Sequence, residues 1–317
     1  MLPLPTQITV ESTASCQLRC PSCPTPVSLG RPRGFFSPDL FQHLISQIDW
    51  PLEAISFAWS GEPLLNRSLP ALISAAARTL GVWTYVSTNG LLLERDCESL
   101  LDSGLAMLRI GLDGVNQEMS SKYRMGIEFD KVVRGVQKIC DLREARGLHT
   151  PRVSMQMMVM RQTEAHFDEF MALARRCGAD EVYFKSFNVS LSDWLPRERC
   201  RELAEEFLPQ NPRYLRYRCN GAGEFELRPE LRNTPCPEVA SSVTILHTGQ
   251  VVPCCEDFSG TYVLGDIRLQ KLSEIWQGEA YRKLRERVRR REPGMCRECS
   301  YPGSDACNQI VRIRAAT

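Results

Sequence analysis

The stretch ITVESTASCQLRCPSC, residues 8–23, runs a short β-rich segment directly into Cys16, Cys20 and Cys23 at the spacing C-x3-C-x2-C. A strand is predicted over residues 8–12, so the three thiols sit on the tight loop that follows it. Three thiolates on one loop can ligate three irons of a cubane cluster and leave the fourth iron open for a chelating cofactor, because soft thiolate suits iron–sulfur chemistry. A zinc site and three unrelated thiols are the competing readings. Structural zinc normally takes four ligands, and the loop offers three.

Outward from this loop the chain alternates. Strands are predicted at Ile8–Ser12, Ala54–Trp59, Val82–Ser87, Ala106–Leu112, Val153–Met160 and Glu181–Ser186. Amphipathic helical patterns fill the intervals at Pro38–Ile48, Leu69–Leu80, Glu94–Ser103, Asp130–Arg146 and Glu164–Cys177, with a further one at Arg197–Phe207 after a loop holding Trp194 and Pro196. Strand and helix in strict alternation give βα units, a parallel sheet and right-handed crossovers. The fold class is α/β, with the sheet closed or partly closed. Residues 1–208 form this first domain. Pro209, Pro212, Gly221, Gly223 and Pro229 punctuate a linker over residues 209–235. A second module over residues 236–317 holds a hairpin at Val243–Val252, with His247-Thr248-Gly249 at its turn, and a helix at Leu272–Arg290.

With 317 residues, 43% hydrophobic and 24% charged, the composition is that of an ordinary globular protein. A net charge of +1 gives no sign of a nucleic-acid partner. The basic run Arg282–Arg291 alternates with Leu284 and Val288 and reads as a solvated helix face. No run of apolar residues is long enough to span a membrane, and the start MLPLPTQITVE lacks the basic and apolar regions of a secretory signal, so the cytoplasm is the expected location. Fourteen cysteines are unusual for such a chain. Those clustered at the two ends suggest metal or redox chemistry, whereas Cys97, Cys140, Cys177 and Cys200 lie in helical patterns as small buried hydrophobes.

The motifs at the ends of the predicted strands resemble those of the radical S-adenosylmethionine (SAM) superfamily over the first 190 residues. Ser60-Gly61-Glu62-Pro63 ends the second strand and is similar to the family's Gly-Gly-Glu-Pro, which binds the amino group of the cofactor. Ser87-Thr88-Asn89-Gly90 and Leu112-Asp113-Gly114 end the third and fourth strands and resemble its Thr-Asn-Gly and Ser-Leu-Asp-Gly. The resemblance implies a partial (β/α)6 TIM-like barrel whose site lies at the carboxyl ends of the strands. It also implies a 4Fe–4S cluster on Cys16, Cys20 and Cys23 that binds SAM and cleaves it to a 5′-deoxyadenosyl radical, and a flavodoxin or ferredoxin as electron donor. Arg124 resembles an arginine that pairs with the cofactor carboxylate, with a plain surface arginine as the alternative. Gln156 faces the same chamber if the strand alternation holds. Two positions depart from the pattern. Ser22 replaces an aromatic residue before the third cysteine, and Gly111 replaces the serine that often precedes Leu-Asp-Gly.

Downstream, Cys236, Gly249, Cys254 and the pair Cys296-x2-Cys299 resemble the short SPASM or "twitch" module, which implies one auxiliary 4Fe–4S cluster on those four cysteines. The same four could hold zinc. Cys255 beside Cys254 is a hydrogen-donor candidate or a mere neighbour, and Cys219 and Cys307 are left over. The resemblance implies hydrogen abstraction from an unactivated carbon. An oxidative, dehydrogenase-type outcome on a small polar substrate is expected, with the auxiliary cluster as electron sink. The first strand begins near residue 8, without the peptide-recognition domain that peptide-modifying relatives often carry, which favours a small substrate. Epimerisation through Cys255 and maturation of a ribosomal peptide are the alternatives. A bare iron–sulfur electron carrier would not consume SAM.

Overall fold

A computed structural model describes residues 3–27, 29–189, 195–220, 225–297 and 299–314. Trp194, Gly221 and Gly223 of the predicted loop and linker lie outside them. Six strands follow one another in the sheet in chain order, all parallel: β1 (Gln7–Val10), β2 (Ala54–Ser56), β3 (Trp83–Thr88), β4 (Met107–Gly111), β5 (Arg152–Val159) and β6 (Glu181–Ser186). Helices Pro38–Ile45, Leu69–Ala75, Leu93–Asp102, Phe129–Ala145 and Phe167–Arg176 connect them. The first is fixed at its start by Ser37, whose side chain accepts from the Leu40 N–H, with Pro38 in the first turn.

The two faces of this sheet differ chemically. Ile8, Val10, Ile55, Phe57, Val86, Leu108, Ile110, Val153, Met155, Met157, Val182 and Phe184 are fully buried in the main core, each worth about 1.5–3 kcal/mol for a fully buried side chain of this size. The alternate residues share the opposite face through register: Tyr85 with Met107, Ser87 with Arg109, Arg109 with Ser154, Gly111 with Gln156, Gln156 with Tyr183, and Met158 with Lys185. Most of that inner face is polar, and Ser56, Tyr85, Ser87, Arg109, Tyr183 and Lys185 on it are only half-buried. Helices pack one side of the sheet, and the partly exposed polar side faces the interior of the partial barrel, its chamber.

The linker segment is more structured than its proline and glycine content suggests: β7 (Tyr217–Cys219) and β8 (Phe225–Leu227) pair antiparallel. The hairpin expected near residues 243–252 forms from β9 (Ser242–Ile245) and β10 (Gln250–Val252), and β11 (Gly265–Asp266) adds to it. This hairpin joins the barrel sheet, with β9 parallel to β1. The tail strand β12 (Gln309–Arg312) pairs antiparallel with β6, so the sheet has ten strands among the described residues and both ends of the barrel row are covered. The single helix expected over 272–290 is broken into Leu272–Gln277 and Glu279–Arg289, because Gly278 between them is extended. Arg285, expected on a solvated face, is instead buried between the rings of Trp276 and Tyr281, each 4.2 Å away. No helix of the described residues is long and apolar enough to cross a membrane.

Candidate metal and cofactor site

The cysteine loop is held to the end of β2 by backbone. The Glu62 N–H donates to the Ser15 carbonyl at 2.7 Å, and the Gly61 N–H to Thr25 Oγ1 at 3.2 Å. Thr25 Oγ1 also lies 3.1 Å from Ser60 Oγ. The approach is so close that only glycine fits at 61: a Cβ there would lie 2.3 Å from the Thr13 carbonyl oxygen, and φ is +74°. Pro63 opens the short 3-10 turn that follows.

Cys16, Cys20 and Cys23 are all free, half-buried thiols. Cys16 Sγ accepts from the Leu18 N–H at 3.4 Å and lies 3.9 Å from Asn89 Nδ2. Burial pushes Cys16 up to about 11 and Cys20 up to about 12, with the neighbouring thiols adding to both; burial raises Cys23 too. Thiols crowded in this way ionise only against a positive partner, and an iron cluster supplies one. No group of three or more His, Cys, Asp or Glu side chains among the described residues is gathered closely enough to hold a single metal ion. A cubane asks for less, since each thiolate binds a different iron.

Around the loop, the strand ends are bound to one another. The buried Glu62 carboxylate accepts from Thr88 Oγ1 (2.5 Å), the Asn89 N–H (2.7 Å) and the Leu64 N–H (3.1 Å). Burial pushes its pKa up, against those hydrogen bonds. Its side chain therefore ties the second strand end to the third, which leaves the backbone of residues 60–62 as the freer acceptor. Asp113, with φ +57°, accepts from the Met158 N–H and from Arg124 Nε, both at 2.6 Å. The surface reading of Arg124 does not hold, since its side chain is 14% exposed and paired. Burial disfavours its charge, and Asp113 and Cys20 outweigh that. Gly111 explains how it fits: a Cβ there would lie 2.1 Å from Arg124 Nη2. The guanidinium lies in the space that a serine would have taken. Gln156 is buried on the same inner face, its carbonyl accepting from Leu112. Ser22 Oγ lies 2.7 Å from the buried Tyr123 hydroxyl, so an aromatic ring stands beside the third cysteine from another part of the chain.

The second cysteine set lines one cavity of about 780 Å³, with Cys236, Cys254, Cys296 and Cys299 on its walls beside Glu256 and Met295. Arg291 Nη1 donates to the carbonyls of Cys296 and Cys299, both at 3.0 Å, and closes the last turn of that loop. Four thiols on one cavity fit a cluster with four protein ligands. Cys219 is exposed, and Cys307 is buried in a separate apolar cluster. Cys97, Cys140, Cys177 and Cys200 are buried as expected.

Between the two cysteine sets stands a group that sequence reasoning missed. Trp59 Nε1 donates to the Cys255 carbonyl at 2.7 Å and its ring stacks on Phe258. Arg31 lies over the same ring and donates to the Phe258 carbonyl. Glu11, fully buried at the end of β1, takes Arg31 Nη1 (2.8 Å), the His247 N–H (3.0 Å) and His247 Nδ1 (2.8 Å). The cluster loop, the Ser-Gly-Glu-Pro end and the Cys254-Cys255 turn thus share one set of contacts. Lys185 on β6 works against the burial that pushes the Cys255 thiol up. Its alternation with Tyr183 was the available signal.

A profile of the Radical SAM superfamily matches residues 10–174, and one of the SPASM iron–sulfur cluster-binding domain matches residues 236–300. Fe-coproporphyrin III synthase of Methanosarcina barkeri is 28% identical over 288 residues, covering 80% of this chain and 70% of that protein. PqqA peptide cyclase of Rhizobium meliloti is 25% identical over 313 residues, covering 93% and 79%. In architecture the chain is similar to BtrN in complex with AdoMet and 2-DOIA, at TM-score 0.57, 19% identity and 94% of each chain. It is also similar to Streptococcus suis SuiB bound to precursor peptide SuiA, at TM-score 0.63, 15% identity and 94% and 71% of the two chains.

Proposed function

The chain belongs to the radical SAM superfamily and carries a SPASM iron–sulfur domain, and we propose that it oxidises a small polar substrate by removing hydrogen from an unactivated carbon. Its cofactors are SAM and two 4Fe–4S clusters. When bound, they supply a hydrogen-abstracting carbon radical and an electron acceptor. Cys16, Cys20 and Cys23 hold the first cluster, and Cys236, Cys254, Cys296 and Cys299 the second. Arg124, held by Asp113, meets the cofactor's carboxylate, and the backbone of residues 60–62 accepts from its amino group. Glu62 and Asn89 keep that backbone and Cys16 in place. The protein's remaining part is to seat the target C–H and exclude competing donors. A flavodoxin or ferredoxin supplies the electron.

The observation that carries this reading is the polar inner face of the sheet, where Ser56, Tyr85, Ser87, Arg109, Tyr183 and Lys185 stay partly exposed. An apolar face would favour a lipid or a prenyl chain. Turnover of a candidate alcohol in deuterated water tests the reading. Product lighter by two hydrogens, one formed for each 5′-deoxyadenosine, is the expected result. Product of unchanged connectivity carrying one carbon-bound deuterium, lost in Cys255→Ala, would make the enzyme an epimerase. Cys255 is half-buried, and its carbonyl accepts from Trp59 Nε1 next to the Ser60-Gly61-Glu62-Pro63 strand end, which supports that alternative. A peptide-modifying role has its own support: one relative is named for a peptide cyclase, and a similar solved structure holds its precursor peptide. A substrate that is modified only when embedded in a peptide would decide for it.

A further inference from the structure

We propose that Lys185 anchors a carboxylate group of the substrate inside the barrel chamber. The inference deepens the reading above, since it takes the chamber as the substrate site.

Lys185 lies on β6 opposite Met158, on the face shared with Gln156 and Tyr183. Its side chain is only half-buried, so part of it stays open to solvent on the inner face of the sheet. Among the described residues no hydrogen bond or ion pair reaches its Nζ. The neighbouring charges do not compensate it. Arg216 is buried and, among the described residues, its side chain bonds only to neutral oxygens: Ser186 Oγ at 2.6 Å, the Ser186 carbonyl at 3.3 Å and Ser300 Oγ at 2.9 Å. Arg109 leans on Tyr183 with its cation 4.1 Å from the ring centre. Of the nearby carboxylates, Asp113 is held by Arg124 and the Met158 N–H, and Glu256, whose charge both cations favour, forms no direct ion pair with Lys185 or Arg216 among the described residues. Burial first, then Arg216 and Arg109, draw the Lys185 pKa down.

An ammonium partly withdrawn from water with no direct ion-pair partner is costly, and a bound anion in contact with it lowers that cost. The donors left for that anion are few. The Arg216 fork is committed to serine oxygens, and Lys185 presents a single point charge. One monoanionic oxygen fits this better than a phosphate, which needs several donors.

The test uses the reconstituted full chain and needs no knowledge of the substrate. Reductive methylation is followed by peptide mass spectrometry at each of the six lysines, with propionate, its neutral isostere propionamide, or inorganic phosphate as the probe. Propionate is expected to slow modification of Lys185 by at least about fivefold, saturably, while Lys122 and Lys283 react unchanged and propionamide has no effect. In parallel, propionate should raise the Tm of the wild type but not that of Lys185→Met, which should itself melt above the ligand-free wild type. Equal modification with propionate and propionamide, or stronger protection by phosphate, overturns the proposal. If Lys185→Met does not fold, the labelling of the wild type alone decides. Should propionate protect Lys185 while no alcohol is oxidised, the carboxylate site stands and the oxidative reading falls.

Discussion

Gly111→Ala is the substitution whose effect the structure constrains most closely. The added Cβ would lie 2.1 Å from Arg124 Nη2 and 2.8 Å from its Cζ, so the guanidinium must retreat by more than about 1 Å to reach ordinary contact at roughly 3.5–4.0 Å. The tip of an arginine moves readily, and overlap itself costs little. What is lost is the 2.6 Å bond from Nε to Asp113, since a hydrogen bond stretched beyond about 3.6 Å is no bond. Removing one partner of a buried pair costs about 3–5 kcal/mol. Arg124 is 14% exposed and can recover some hydration, which sets the expectation at about 2–4 kcal/mol, or on the order of 5–10 °C in Tm. SAM affinity should fall by about tenfold or more, as for loss of one charge-assisted hydrogen bond. Chemical unfolding and equilibrium dialysis of the reconstituted protein read the two effects. The control is the same substitution in Arg124→Ala, where it should become neutral or stabilise by about 0.4–1 kcal/mol, because Gly111 does not have a positive φ. A Gly111→Ala protein within about 0.5 kcal/mol of wild type, with unchanged SAM affinity, would refute the claim that the guanidinium fills this space.

Three further outcomes follow from the same contacts. Burial pushes the Glu11 carboxyl up, but hydrogen bonds from His247 and Arg31 outweigh this and hold it below its ordinary value; a depressed carboxylate stabilises the fold above its unfolded pKa and loses that contribution as pH falls through the folded one. The stability gap between wild type and Glu11→Gln in urea unfolding should therefore be full at about pH 7 and narrow as pH falls below the ordinary glutamate pKa of about 4.3. Glu62→Gln converts an acceptor of three hydrogen bonds into a side chain facing donors with a donor. It should cost about 1–3 kcal/mol in urea unfolding even without SAM, and an unaffected Glu62→Gln would return that carboxylate to direct cofactor binding alone. Cys254→Ala should lower bound iron from about eight to about four atoms per chain while cofactor cleavage continues uncoupled; loss of zinc instead would assign that site to zinc.

Much of this architecture is written in local patterns. The six parallel strands and the helices between them follow from alternation that each segment carries by itself, and their positions agree with the observed ones to within a few residues. What stayed hidden depends on partners far away in sequence. Nothing in Ser242–Ile245 announces that it will lie parallel to β1, and nothing in Gln309–Arg312 announces its pairing with β6. Arg124 could not be told from a surface arginine, because its burial depends on the missing side chain at Gly111. That glycine read as a lost hydroxyl contact; in the fold it makes room. Ser22 read as a missing aromatic, whereas Tyr123 brings a ring to that point from about a hundred residues on. The motif led to the expectation that Glu62 serves the cofactor, and its ties to Thr88 and Asn89 exist only once β2 and β3 are paired. Lys185 left no motif at all, since an unpartnered charge has meaning only when its surroundings are known.

The central claim is that the Cys16–Cys23 loop carries a cluster that cleaves SAM. Anaerobic reconstitution followed by SAM and a strong reductant tests it directly, with 5′-deoxyadenosine and methionine measured alongside bound iron. The wild type should form both products in equal amounts. The Cys16→Ala/Cys20→Ala/Cys23→Ala protein should form neither and retain about half of the iron, held by the second site. Cleavage of SAM by that triple variant, or iron content equal to the wild type, would contradict the account.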